Sequence, residues 1–121
     1  MSLSAPRIAV VDDDTLVRAS LGGLIRSLGL RVSLFASGPA LLKQDLARFD
    51  CVITDVQMPA MSGLALQEAL NARAPGLAVV ILTAFSDSDL RTRAMAAGAR
   101  AVLEKPCNPE ELMTLLESIV G

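Results

Sequence analysis

The chain has 121 residues, 52% of them hydrophobic and 20% charged, with 11 basic and 13 acidic residues and a formal net charge of −2. It is too apolar for a disordered segment, and it has the length of one domain with a real core but not of two. The mildly acidic balance excludes the electrostatic footprint of a nucleic-acid-binding domain.

Arg7 to Val11 is an apolar run of strand length. Asp14-Thr15 then offers N-cap residues, and Leu16, Val17, Leu21, Leu24, Ile25 and Leu28 recur at helical spacing up to a stop at Gly29. Arg31 to Ala36 alternates and reads as a second strand. Ser37-Gly38-Pro39 opens a second helix, expected to run to about Arg48 through Leu41, Leu42 and Leu46. Asp50 to Thr54 is a third strand, apolar on both faces as a central parallel strand should be. Gln57 to Gly63 is a loop, and Leu64 to Ala72 a third helix. After a turn at Pro75-Gly76, Leu77 to Thr83 forms a fourth strand. Ser86-Asp87-Ser88-Asp89 caps a fourth helix that ends at Gly98. Arg100 to Glu104 is the fifth strand, and Glu110 to Val120 the last helix. Five strands alternating with five helices predict parallel βαβ units in a layered α/β sheet. Every connection is short, so residues 1–121 are assigned to one domain.

Other chemistry is bounded by what is missing. No run reaches the about 18 apolar residues of a membrane helix. Met1-Ser2-Leu3-Ser4-Ala5-Pro6 has neither the charged start nor the apolar core of a signal peptide. Two isolated cysteines, Cys51 and Cys107, make no disulfide framework, so a reducing cytoplasm is expected. Histidine is absent, which removes His bases, His metal ligands and phosphohistidine storage.

Four of the apolar runs end in reactive residues: Asp12 and Asp13, Asp55, Thr83, and Glu104-Lys105. Open α/β sheets bind ligands beyond the carboxyl ends of their strands. In the flavodoxin-like strand order 2-1-3-4-5, strands one and three are neighbours, about 4.8 Å apart. Their carboxylates then come within reach of one hard cation such as Mg2+, which takes oxygen ligands. Lys105 can pair with phosphate oxygens and Thr83 can donate one hydrogen bond to them. The Asp55 carboxylate has the chemistry of a nucleophile toward phosphorus. Each residue alone also has a plainer reading. Asp14 suits a helix cap, Lys105 a solvated surface lysine, Thr83 a strand end, and Met58 and Met61 core packing.

Val11-Asp12-Asp13, Thr54-Asp55-Val56-Gln57-Met58-Pro59 with Ser62-Gly63, Leu82-Thr83-Ala84 and Glu104-Lys105-Pro106 together resemble the receiver domain of two-component response regulators. The likeness covers nearly the whole chain. It implies a flavodoxin-like (βα)5 three-layer sandwich with a parallel sheet in the order 2-1-3-4-5. It implies Asp55 as phosphoacceptor, Asp13 and Asp55 as direct Mg2+ ligands with the Gln57 carbonyl, and Asp12 acting through a bound water. Thr83 would be the switch hydroxyl, Ala84 the small residue beside the phosphoryl group, and Lys105 its cationic partner. The motifs are most similar to receivers of the nitrogen-fixation and aromatic-degradation regulators, which carry a LuxR-type helix-turn-helix output. The implied partners are a cognate histidine kinase and, on phosphorylation, a second copy docked through the fourth helix and fifth strand. There, Ala94, Ala97, Ala101 and Val102 are expected to line the face. DNA would be reached only through an output domain outside these residues, and no membrane is involved. Such a domain is no enzyme beyond its own phosphorylation and dephosphorylation.

Two positions depart from the family pattern. The switch aromatic three residues before the lysine is replaced by Val102, and Pro106 is followed by Cys107. Phe85 and Gln57 are expected to flank the attack path and to set the lifetime of the phosphoryl-aspartate.

Three other readings compete. An aspartyl-phosphate phosphatase of the haloacid-dehalogenase type needs an acid two residues after its nucleophile, where this chain has Gln57. A flavin or nucleotide module needs a Gly-rich loop after the first strand, where this chain has three Asp. A pseudo-receiver scaffold does not need the complete acid, threonine and lysine set. The chain ends at Gly121, directly after the last helix, and is expected to be a fragment of a longer regulator.

Overall fold

The computed structural model describes residues 5–121. Five strands, β1 (Arg7–Val11), β2 (Arg31–Phe35), β3 (Cys51–Thr54), β4 (Ala78–Thr83) and β5 (Ala101–Glu104), alternate with five helices. The helices are α1 (Thr15–Ser27), α2 (Gly38–Leu42), α3 (Gly63–Arg73), α4 (Ser88–Ala96) and α5 (Pro109–Val120). The strands form one parallel sheet in the order β2-β1-β3-β4-β5, the flavodoxin-like arrangement expected from the motifs. The reading of Met1-Ser2-Leu3-Ser4 as no secretion signal lies outside the described residues.

The two-residue period of the strands builds two cores. Ala9, Val11, Val52, Val79, Ile81 and Val102 meet Leu41, Leu66, Leu70 and Ala94 on one face. Ile8, Val10, Cys51, Ile53, Val80, Leu82 and Leu103 meet Leu21, Ile25, Leu112 and Leu116 on the other. β3 and β4 are buried at every position, as central strands covered on both faces must be.

Side chains fix the helix starts. Asp14 accepts from the Leu16 and Val17 amides, Ser37 from Ala40, Ser62 from Ala65, Asp87 from Leu90, and Asn108 from Glu110 and Glu111. Gly29 and Gly98 stop α1 and α4 at φ +83 and +98, a region that costs a residue with a Cβ.

The second helix is shorter than its sequence predicts. It ends at Leu42, and a separate 3-10 turn covers Leu46–Arg48. The Asp45 side chain accepts from the Ala47 amide and starts that turn, so a local side-chain bond replaces the continuing helix. Leu46 stays buried either way, which is why the helical spacing of its leucines misleads.

Candidate functional site

Three backbone hydrogen bonds carry the sheet ladder one residue past its strands. The Asp12 amide donates to the Phe35 carbonyl at 3.1 Å, that of Asp55 to Val11 at 3.0 Å, and that of Lys105 to Thr83 at 2.9 Å. Each reactive residue is therefore held by its main chain at the carboxyl rim while its side chain projects beyond it.

The carboxylates of Asp12, Asp13 and Asp55 offer oxygens that all lie within 4.8 Å of one another. Lys105 joins them, with Nζ 2.7 Å from Asp12 Oδ2 and 3.1 Å from Asp55 Oδ2. The remaining oxygens of those two acids are also engaged. Asp12 Oδ1 accepts from the Asp14 amide at 2.9 Å, and Asp55 Oδ1 from the Val56 amide at 2.7 Å. Asp13 is exposed, and among the described residues no hydrogen-bond donor reaches its carboxylate.

Burial would pull the Lys105 ammonium below its ordinary pKa. The hydrogen bonds and charges of Asp12 and Asp55 outweigh that and hold it above. One ammonium against three carboxylates leaves negative charge unmatched. An all-oxygen cluster with one unbonded acid fits a hard divalent cation, and its composition favours Mg2+ or Ca2+ over softer metals.

Thr83 is buried, and its hydroxyl accepts from the Phe85 amide at 3.3 Å. Ala84, Gln57 and Phe85 are exposed around the cluster, Phe85 by 75%. Val102 is buried opposite Ile81 in the sheet, in the same core as Ala94. This corrects one expectation: Ala94 and Val102 do not line an open face. Of the four apolar residues expected there, Ala97 is exposed and Ala101 half-buried.

α4 is polar, and Ala94 is its one buried residue. Two amides of α3 hold it: Gln67 Nε2 donates to the Ala94 carbonyl at 3.0 Å, and Asn71 Nδ2 to the Ala97 carbonyl at 2.7 Å. Beside Lys105 an apolar groove of about 600 Å³ opens between α1 and the chain after β5, lined in part by Leu16, Val17, Leu82, Pro106 and Cys107.

Two further residues bear on the site: Gly63, which the motif includes without a role, and Arg18, which it does not include. Gly63 packs so closely on the end of β3 that a Cβ there would lie 2.0 Å from the Asp55 carbonyl oxygen. Its amide donates to the Val56 carbonyl at 2.8 Å. Arg18, one turn into α1, donates from Nη1 to the Asp12 carbonyl at 2.6 Å and from Nη2 to Thr15 Oγ1 at 3.2 Å. The only sequence signal for Arg18 is a cation one turn after a run of acids.

The pattern of the response regulator receiver domain matches residues 8–117. The transcriptional regulatory protein FixJ of Azorhizobium caulinodans is 38% identical over 94% of this chain and 54% of its own length. The transcriptional regulatory protein TdiR of Thauera aromatica is 37% identical over 98% of this chain and 52% of its own. The chain thus spans about half the length of the curated relatives it matches. A response regulator receiver domain protein from Clostridium thermocellum superposes with a TM-score of 0.89 at 28% identity, over 95% of this chain and 94% of that one.

Proposed function

The chain belongs to the response regulator receiver domain family, and from that premise we propose that Asp55 is the phosphoacceptor of a two-component system. The observation that carries this reading is the convergence of Asp12, Asp13, Asp55 and Lys105 at one rim. A histidine kinase presents a phosphohistidine. An Asp55 carboxylate oxygen forms a bond to phosphorus as the P–N bond to the donor imidazole breaks, and the electron pair leaves with that nitrogen. Asp13, Asp55 and the Gln57 carbonyl would hold Mg2+, with Asp12 acting through a bound water. When bound, the cation would supply positive charge to the phosphoryl oxygens.

Lys105 then exchanges its bond to Asp55 for one to a phosphoryl oxygen. Thr83 leaves the Phe85 amide for a second, while Ala84 leaves room for the group. The change is read on α4 and β5, and with Val102 in place of a mobile ring it travels through the Thr83–Phe85 backbone and the packing of α4. Phe85 and Gln57 flank the path of attacking water and set the lifetime of the modified Asp55.

Residues 1–121 act as one receiver, a second copy docks on the α4–β5 face, and the output is transcriptional. This last step follows the regulators whose receiver portion the chain resembles.

The test is incubation with acetyl phosphate and Mg2+, read by intact mass and by oligomer size, for wild type and Asp55→Asn. A wild-type mass gain that is lost in Asp55→Asn supports the assignment, and no gain in either chain overturns it. Timing dephosphorylation of Phe85→Ala and Gln57→Ala tests the flanking residues, and unchanged lifetimes would remove them from the reading.

A further inference from the structure

We propose that Arg18 is a positioning residue for the cation site, and that it acts by fixing the peptide from which Asp13 projects. The proposal rests on the reading of Asp12, Asp13 and Asp55 as a Mg2+ site. Asp13 has no side-chain partner among the described residues, so nothing at its carboxylate fixes its direction. Its backbone is fixed instead. The Asp12 amide is tied to the Phe35 carbonyl at 3.1 Å, and the Asp12 carbonyl is tied to Arg18 Nη1 at 2.6 Å. That carbonyl belongs to the planar peptide that ends at the Asp13 nitrogen, so holding it sets the plane from which the Asp13 Cα–Cβ bond departs.

The second Arg18 donor reaches Thr15 Oγ1 at 3.2 Å, and the Arg18 amide donates to the Asp14 carbonyl at 3.0 Å. One residue thereby brackets residues 12, 14 and 15. The flat fork of a guanidinium holds two acceptors in a defined geometry, which a single ammonium cannot match.

The sign of the effect separates this role from a charge effect. A fixed positive charge beside a cation site weakens cation binding, so removing it should tighten binding. Removing a residue that orients a ligand should loosen it, and partners of metal ligands typically matter by about 10–100-fold in affinity. Mg2+ demands near-octahedral placement whereas Ca2+ tolerates irregular sites, so a lost orientation should penalise Mg2+ more.

The experiment is calorimetric titration of the phosphate-free chain with MgCl2 and, separately, CaCl2. It compares wild type with Arg18→Met, with urea unfolding of each chain in the absence of divalent cation. The expected result is about tenfold weaker Mg2+ binding by Arg18→Met with a smaller loss for Ca2+. Unchanged or tighter Mg2+ binding overturns the proposal, as does an equal loss for both cations that merely follows reduced stability. Should Arg18→Met fail to fold, Arg18→Lys carries the same comparison with a smaller expected loss. A wild-type chain that binds neither cation overturns the metal reading itself, and this proposal with it.

Discussion

The Lys105 ammonium stands 2.7 Å from Oδ2 of Asp12, a residue only 2% exposed. The pair joins the loop after β1 to the residue after β5 across the rim of the sheet. Lys105 is the counter-ion of a buried acid as well as the proposed partner of a phosphoryl group. Lys105→Met should therefore cost about 1–3 kcal/mol of stability without divalent cation, because it strands a buried charge. Saturating Mg2+ should recover part of that loss, since the variant's cluster is more negative and binds the cation more tightly. Urea unfolding with and without Mg2+ measures both quantities.

Gly63 should tolerate no side chain. Gly63→Ala drives a Cβ to 2.0 Å from the Asp55 carbonyl oxygen, where only backbone can move. We expect a loss of about 1–3 kcal/mol and slower phosphorylation of Asp55 by acetyl phosphate. At Gly23, in the middle of α1, an added Cβ would meet nothing within 4 Å. Gly23→Ala should stabilise by about 0.5–1 kcal/mol and leave phosphorylation unchanged. Urea midpoints of the two variants, measured side by side, decide it.

Cys51 supplies a pH dependence. Burial pushes its thiol from 9.0 up to about 12. The unfolded chain releases this proton first, so between those values it binds fewer protons than the folded chain, and stability falls as pH rises. Chemical unfolding from pH 7 to 10.5 should show a decline above about pH 9 that is shallower in Cys51→Ala. The same burial protects the thiol: at pH 8 a thiol reagent should modify Cys107 alone until denaturant is added, as mass spectrometry would report.

α4 should open more readily than the rest of the sheet's cover. Gln67→Ala and Asn71→Ala each remove a side-chain bond to its carbonyls, worth about 1 kcal/mol. Hydrogen exchange should speed up at α4 amides and stay unchanged in α1 and α5. Uniform acceleration would point to global destabilisation instead.

Apolar runs bounded by turn residues placed all five strands, and the two read as apolar throughout, β3 and β4, are buried at every position; the strand order came from the resemblance of the motifs. Asp12, Asp55, Thr83 and Lys105 were legible as a set because each follows or ends such a run. The end of α2 was not, since Leu46 keeps helical spacing with Leu41 and Leu42 while Asp45 caps a separate turn. Ala94 and Val102 read as surface because small and β-branched side chains occur on both sides of a helix-covered sheet. Arg18 and Gly63 act through backbone carbonyls across a loop, and such contacts leave no period in the sequence.

The amides of Asp12, Asp55 and Lys105 extend the sheet ladder beyond its strands. The residues that would carry the chemistry are thus stitched onto the hydrogen-bonded ladder of the sheet, and the helix proposed to report it rests on one buried alanine and two amides. Such a layout separates durability from responsiveness along a single hydrogen-bonded edge. On the proposed reading, a charge added at the stiff end would be registered at the soft end without loosening the grip on the acceptor itself.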